Sequence, residues 1–325
     1  MKKILMSAAA MASVSGTALA CGSIDVGEPN WSTAQIVAAV DSFILSNGMG
    51  CDVSLVPAPT KQVIPLMMSA TKPLLVGEFW ANGVDPVQLG ELEDDGVVDI
   101  TGLPFPEAGE FWYVSKAFAE AYPELDTVEE VRERADLFDG KFYGCPVGIG
   151  WGCEWGNRRL AEGWGMQEAG WTIENPGSSE GQAAIVIDAY NTDSFWVGYY
   201  WTPTAVAIAN ELVALKFERD FVGQDVWGEC YVNAEPPASC GEYVEGSYSP
   251  ATVVTIASGS LADEPQVQAF AETRMMSMAA LGAADAQMAA GMTASEVAAW
   301  YLSNYDDEWS AWVSEDVADA VRSAL

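Results

Sequence analysis

Tryptophan, thirteen times in 325 residues, is the residue type whose placement says most about what this chain can do. Trp155, Trp164, Trp227, Trp300, Trp309 and Trp312 fall on helix faces or inside apolar runs and are expected to pack in cores. Trp31, Trp80, Trp151 and Trp201 instead stand at strand-to-helix or Gly-rich corners, where a large ring suits a cleft better than a core. Three acids accompany them. Glu110, in Gly109-Glu110-Phe111-Trp112, lies near the expected crossover between domains and suits a cationic ligand, with a solvated loop glutamate as the plainer reading. Glu78, two before Trp80, is a second candidate, and Glu154 is most simply a first-turn acid that stabilises a helix dipole. The backbone N–H groups of Gly152 and Cys153, at a helix N-terminus, are available to an anionic or strongly polar oxygen. Histidine is absent. Ser-His-Asp and Cys-His nucleophiles, histidine proton shuttles and most catalytic zinc sites are thereby excluded, and no catalytic residue, metal or cofactor is expected.

The elements that must position these side chains follow from periodicity and punctuation. Ile24 to Gly27 is a short strand, followed by a helix from about Ser32 with Ile36, Val37, Val40, Phe43 and Ile44 on one face. Val53 to Val56 and Leu74 to Phe79 are further strands, with a helix from about Thr60 to Ala70 between them. Alternating strands and helices predict an α/β domain with a largely parallel sheet, whose ligands sit beyond the carboxyl ends of the strands. Trp31 and Trp80 both fall there. A second unit opens with a T-x-x-E box at Thr127 and Glu130, its helix running to about Leu137. Phe195 to Tyr200 reads as a strand, with Thr202 as the N-cap of the next helix and Pro203 at its first position. Val253 to Ala257 reads as a strand returning to the first domain, followed by helices. The expected division is therefore a discontinuous domain of residues 21–111 plus 250–325, and a second of residues 112–249.

Composition sets the surroundings. Lys2 and Lys3, an apolar run from Ile4 to Met11 and the ending Ala18-Leu19-Ala20 predict a signal peptide over residues 1–20, export to the periplasm and a mature chain starting at Cys21. A lipid anchor on Cys21 is the competing reading, although Ala18 stands where a lipobox prefers Leu. No later apolar stretch is long enough to span a bilayer, so the mature chain is expected to be water-soluble. A formal charge of −33 argues against nucleic acid or an anionic membrane surface as partner, and a monomer is expected. Six cysteines in an exported chain suggest three disulfides. Cys145 and Cys153 flank a Gly-rich turn, Cys230 and Cys240 flank a Pro-rich loop, and Cys21 and Cys51 each precede a strand. That pairing is an expectation, because spacing alone does not fix connectivity.

The strings Tyr200-Trp201-Thr202-Pro203 and Gly150-Trp151-Gly152-Cys153-Glu154, with Cys145 upstream, resemble segments of the periplasmic glycine betaine, choline and proline betaine binding proteins of ABC importers. Trp31 and Trp80 fit the same pattern, and the order of elements matches over nearly the whole mature chain. The resemblance implies a two-domain α/β fold of the type II-like periplasmic binding protein kind, with a ligand cleft between the lobes and an inner-membrane ABC permease as partner. It also implies rings that surround a trimethylammonium group. Such a group has no N–H to donate and is recognised by ring quadrupoles, at about 0.5–2 kcal/mol per desolvated contact. Two departures stand out: Val84 occupies the place of the carboxylate-binding His of glycine betaine binders, and Thr33 that of an Asp in choline binders. Four tryptophans plus an acid, without that His, most resemble the trimethylamine N-oxide binding proteins of marine bacteria, with glycine betaine or choline as the alternative ligand. Two other classes remain: a secreted hydrolase using paired carboxylates such as Glu110 and Glu154, and a calcium-binding or structural protein, for which no D-x-D-x-D-G loop is present.

Overall fold

The computed structural model describes residues 21–105 and 107–325. The expected signal peptide lies outside them. Among the described residues ten strands run in chain order as β1 (Ser23–Glu28), β2 (Asp52–Pro57), β3 (Leu74–Trp80), β4 (Val98–Gly102), β5 (Gly109–Val114), β6 (Lys141–Tyr143), β7 (Thr172–Glu174), β8 (Val197–Thr202), β9 (Val213–Ala214) and β10 (Val253–Ser258). They form two five-stranded sheets, β2-β1-β3-β10-β4 and β7-β6-β8-β5-β9, each flanked by helices. The fold is thus α/β with two lobes.

In the first sheet β1, β2 and β3 are parallel, and the returning β10 inserts antiparallel between β3 and β4. Every residue of β3 is buried, which fits a mainly apolar strand covered by helices on both faces, with Glu78 as its single ionisable residue. The register Ser23↔Asp52 sets the starts of β1 and β2 side by side, and the Cys21–Cys51 disulfide closes immediately before them. Helix Ser32–Phe43 buries Ile36, Val37 and Val40 against this sheet and is itself covered by helix Ala294–Asn304. Asp41 on that helix and Arg274 form a fully buried ion pair at 3.0 Å. Among the described residues no helix is long and apolar enough to cross a membrane.

The second sheet corrects three expectations. β5 pairs with β8 along its whole length, from Gly109↔Thr202 to Val114↔Val197, so the change of sheet comes before Gly109 rather than after Phe111. That pairing also draws Trp201 and Thr202 into β8. Thr202 is therefore not a helix cap; Thr204 accepts from the Ala207 N–H at 3.0 Å and caps helix Ala205–Ala209 instead. The Thr127/Glu130 capping box forms, but its helix spans only Val128–Arg132, and a separate tight turn, Ala135–Phe138, follows. The remaining disulfides are Cys145–Cys153 and Cys230–Cys240.

Trp164, Trp227, Trp309 and Trp312 are buried as core rings. Trp155 and Trp300 are only half-buried. Three cations lie over the Trp155 ring, with Lys61, Arg158 and Arg159 at 5.0–5.4 Å from its centroid.

Candidate functional site

One cavity gathers Trp31, Trp80, Trp151, Trp201, Glu110, Gly152 and Cys153, together with Thr60, Gly83 and Tyr199. The space left between these side chains is small and partly open to solvent. Both lobes supply its wall. Trp31 follows β1, Trp80 ends β3, and Thr60 opens the helix after β2, all beyond carboxyl ends of parallel strands. From the second sheet come Glu110 on β5, Tyr199 and Trp201 on one face of β8, and the corner after β6 that carries Trp151, Gly152 and Cys153.

The rings are set edge to face. Trp151 lies 5.7 Å from Trp31 at 81° and 5.0 Å from Trp201 at 85°, while Tyr199 stacks on Trp201 at 6.3 Å. Hydrogen bonds fix their rotation. Glu78 Oε1 accepts from Trp31 Nε1 at 2.6 Å and from Trp80 Nε1 at 2.9 Å. Trp151 Nε1 donates across the cleft to Asn30 Oδ1 at 2.8 Å, and Asn30 Nδ2 donates to the Ile149 carbonyl. Trp201 Nε1 is buried without a partner among the described residues.

Glu110 is the one acid that lines the cavity. It is 6 % exposed, which rules out the solvated-loop reading. Tyr199 Oη donates to one carboxylate oxygen and Asn82 Nδ2 to the other, and Asn82 is in turn held by Trp227, whose Nε1 donates to its carbonyl. Burial raises the Glu110 pKa above the ordinary carboxylate range, and the hydrogen bonds from Tyr199 and Asn82 oppose that rise. Glu78 is not a lining residue. It sits behind the rings, and Thr33 donates to it at 3.1 Å. Glu154 faces away to pair with Lys61 at 2.9 Å, which leaves the paired-carboxylate arrangement of a hydrolase unformed.

The lobes are closed on each other. Lys61 bridges to Glu154, and its N–H donates to the Gly150 carbonyl at 3.0 Å. A Cβ on Gly83 would stand 2.8 Å from Gly152 Cα, and one on Gly152 would stand 2.7 Å from Gly83 Cα. Two backbones meet where any side chain would hold them apart. Gly83→Val is therefore expected to fold but to bind ligand at least tenfold more weakly, because the clamp stops short of closure. Titration of tryptophan fluorescence checks this, and unchanged affinity would show that the contact is dispensable.

Sequence reasoning passed over Tyr199, Thr60, Asn82 and Asn30. Tyr199 was readable from strand alternation, two residues before Trp201, and Thr60 from its place after a parallel strand. The two asparagines carry no local signal, since their partners lie 28 and 121 residues away.

A two-lobed α/β protein whose lobes meet around an aromatic-lined cavity is a binding protein of the clamp type. Residues 22–304 match the substrate-binding domain of the ABC-type glycine betaine transport system, and the chain belongs to that family. Its members are transport components, not enzymes. The fold is similar to that of an ABC-transporter choline binding protein in complex with choline (19% identity, 94% of this chain and 98% of that one, TM-score 0.67). It is also similar to lactococcal OpuAC in its closed form with glycine betaine (14% identity, 90% and 100%, TM-score 0.67). A third similar structure is the glycine betaine/L-proline-binding protein ProX from Borrelia burgdorferi (13% identity, 92% and 99%, TM-score 0.70). No curated protein matches the sequence at a significant level.

Proposed function

We propose that this protein captures trimethylamine N-oxide in the periplasm and delivers it to an inner-membrane ABC permease. On this reading the chain is exported by its first twenty residues and acts as a monomer. Residues 21–105 with 250–325 form one lobe and residues 109–249 the other. The observation that carries the ligand assignment is the charge of the wall: four indoles, Tyr199 and one carboxylate, with no Lys or Arg among the lining residues. Ring faces and the Glu110 carboxylate favour the positive nitrogen and its methyl groups. The oxide oxygen needs only the Gly152 and Cys153 N–H groups at the start of helix Cys153–Gly163. Glycine betaine would bring a full carboxylate against Glu110, with no cationic side chain to receive it.

The ligand has five heavy atoms, and the best small ligands reach about 1.5 kcal/mol per atom, so affinity is limited to roughly micromolar. Calorimetry with trimethylamine N-oxide, glycine betaine and choline tests the order. A preference for glycine betaine above about tenfold overturns it.

Glu110 adds a dependence on pH. The ionised form attracts the ligand, and burial moves its protonation to higher pH than for an exposed carboxylate. Affinity for tetramethylammonium, whose charge does not titrate, is therefore expected to fall on acidification, and to fall less in Glu110→Gln. Equal slopes in both proteins would remove Glu110 from this role.

A further inference from the structure

Behind the cavity wall sits a carboxylate with no cation to match it. Glu78 is 2 % exposed, and its Oε1 alone receives three donors: the N–H groups of Trp31 and Trp80 and the hydroxyl of Thr33. Its Oε2 has no partner among the described residues. Arg274, which donates to the carbonyl of the adjacent Gly77, is committed to that carbonyl, Asp41 and Thr255. The charged group that acts on Glu78 is Asp285, another acid, on helix Met278–Ala289. An ionised carboxylate buried this way is costly unless something positive completes it.

We propose that Glu78 is the remote counter-charge of the box: bonded to two indole N–H groups, it makes their ring faces more negative and so selects a positive centre over a neutral group of the same shape. This rests on the reading of the cavity as a methylammonium site. The physical route is polarisation along a hydrogen-bond chain, from carboxylate through N–H into the ring that faces the ligand. Glu78 is a positioning and specificity residue, because it touches the rings and not the cavity. Burial pushes its pKa up to about 7, so its charge is present at pH 8 and is gained with a bound cation nearby.

Glu78→Gln separates charge from geometry, since glutamine keeps an oxygen that can accept both N–H groups. The probes are trimethylamine N-oxide and tert-butanol, which has the same shape with carbon in place of nitrogen, titrated at pH 8 by tryptophan fluorescence. The variant is expected to bind trimethylamine N-oxide about tenfold more weakly and tert-butanol within twofold of wild type. Equal weakening of both probes, or no change in either, overturns the counter-charge role while leaving the cavity assignment standing. Failure of the wild type to bind trimethylamine N-oxide, choline or glycine betaine overturns the cavity assignment and this inference with it. Should Glu78→Gln not fold, the same contrast is read in Glu110→Gln protein between pH 8 and pH 5.5. There the preference for trimethylamine N-oxide over tert-butanol is expected to shrink in acid, and a constant preference overturns the proposal.

Discussion

Trp151→Ala is expected to weaken ligand capture by about 100-fold or more while leaving each lobe folded. On the proposed reading the ring is the centre of the ligand box; it is in edge-to-face contact with Trp31 on one side and Trp201 on the other. Its Nε1 also ties the second lobe to Asn30 of the first. Three losses therefore coincide in the variant. One ring face toward the ligand is worth about 0.5–2 kcal/mol, one hydrogen bond about 0.5–1.5 kcal/mol, and each aromatic pair about 0.5–1.5 kcal/mol. Together they come to about 3 kcal/mol, or a factor of roughly 150 in the dissociation constant. Calorimetry measures the loss, and thermal unfolding checks the fold. A loss below tenfold would mean that Trp151 only fills space and that the box works without its centre.

The largest expected effect on stability lies far from the cavity, at Arg274. Its guanidinium pairs with Asp41 at 3.0 Å and donates at 2.7 Å to both the Gly77 carbonyl and Thr255 Oγ1, with no exposure of either charged side chain. Arg274→Ala leaves Asp41 buried without its counter-ion, which costs about 3–5 kcal/mol. Urea unfolding reads the change. The deficit is also expected to depend on pH. Burial already pushes the Asp41 pKa up to about 6 with Arg274 present, so its stabilising share is full below about pH 4 and is lost as pH rises through about 6. Without Arg274 that pKa rises further, because the opposing charge is gone. The variant should therefore lose most stability near pH 8 and least near pH 5. A deficit that is equal at both values would show that packing, not charge, is what Arg274 supplies. Replacing both partners, Asp41→Leu with Arg274→Met, is expected to recover much of the loss.

Much of this molecule was legible before any coordinates. The strands β1, β2, β3 and β10 are short alternating or continuous apolar patterns between turn residues, and local pattern places such segments within a residue or two. The four corner tryptophans were separable from core rings because a strand end in an α/β sheet is a cleft edge. Where the reading failed, a distant partner had overruled a local preference. Thr202 and Pro203 look like a helix start, yet Glu110 and Gly109 claim the backbone of Trp201 and Thr202 for the sheet. Trp155 sits at core spacing on its helix, but the residues opposite it are cations.

Residue types and their order alone determined the α/β class, the two-lobed plan, the cysteine pairing as an expectation and the corner positions of the rings. These depend on neighbours in the chain, on periodicity and on what a missing histidine forbids. Only the tertiary structure decided that Tyr199 and Asn82 converge on Glu110, that Glu78 turns to the back of two indoles, and that Gly83 meets Gly152. Each of those contacts joins residues from different elements, whose approach is set by how sheets and helices pack. Burial then reassigns places: a glutamate that could have been a solvated loop acid is a buried acid lining the cavity.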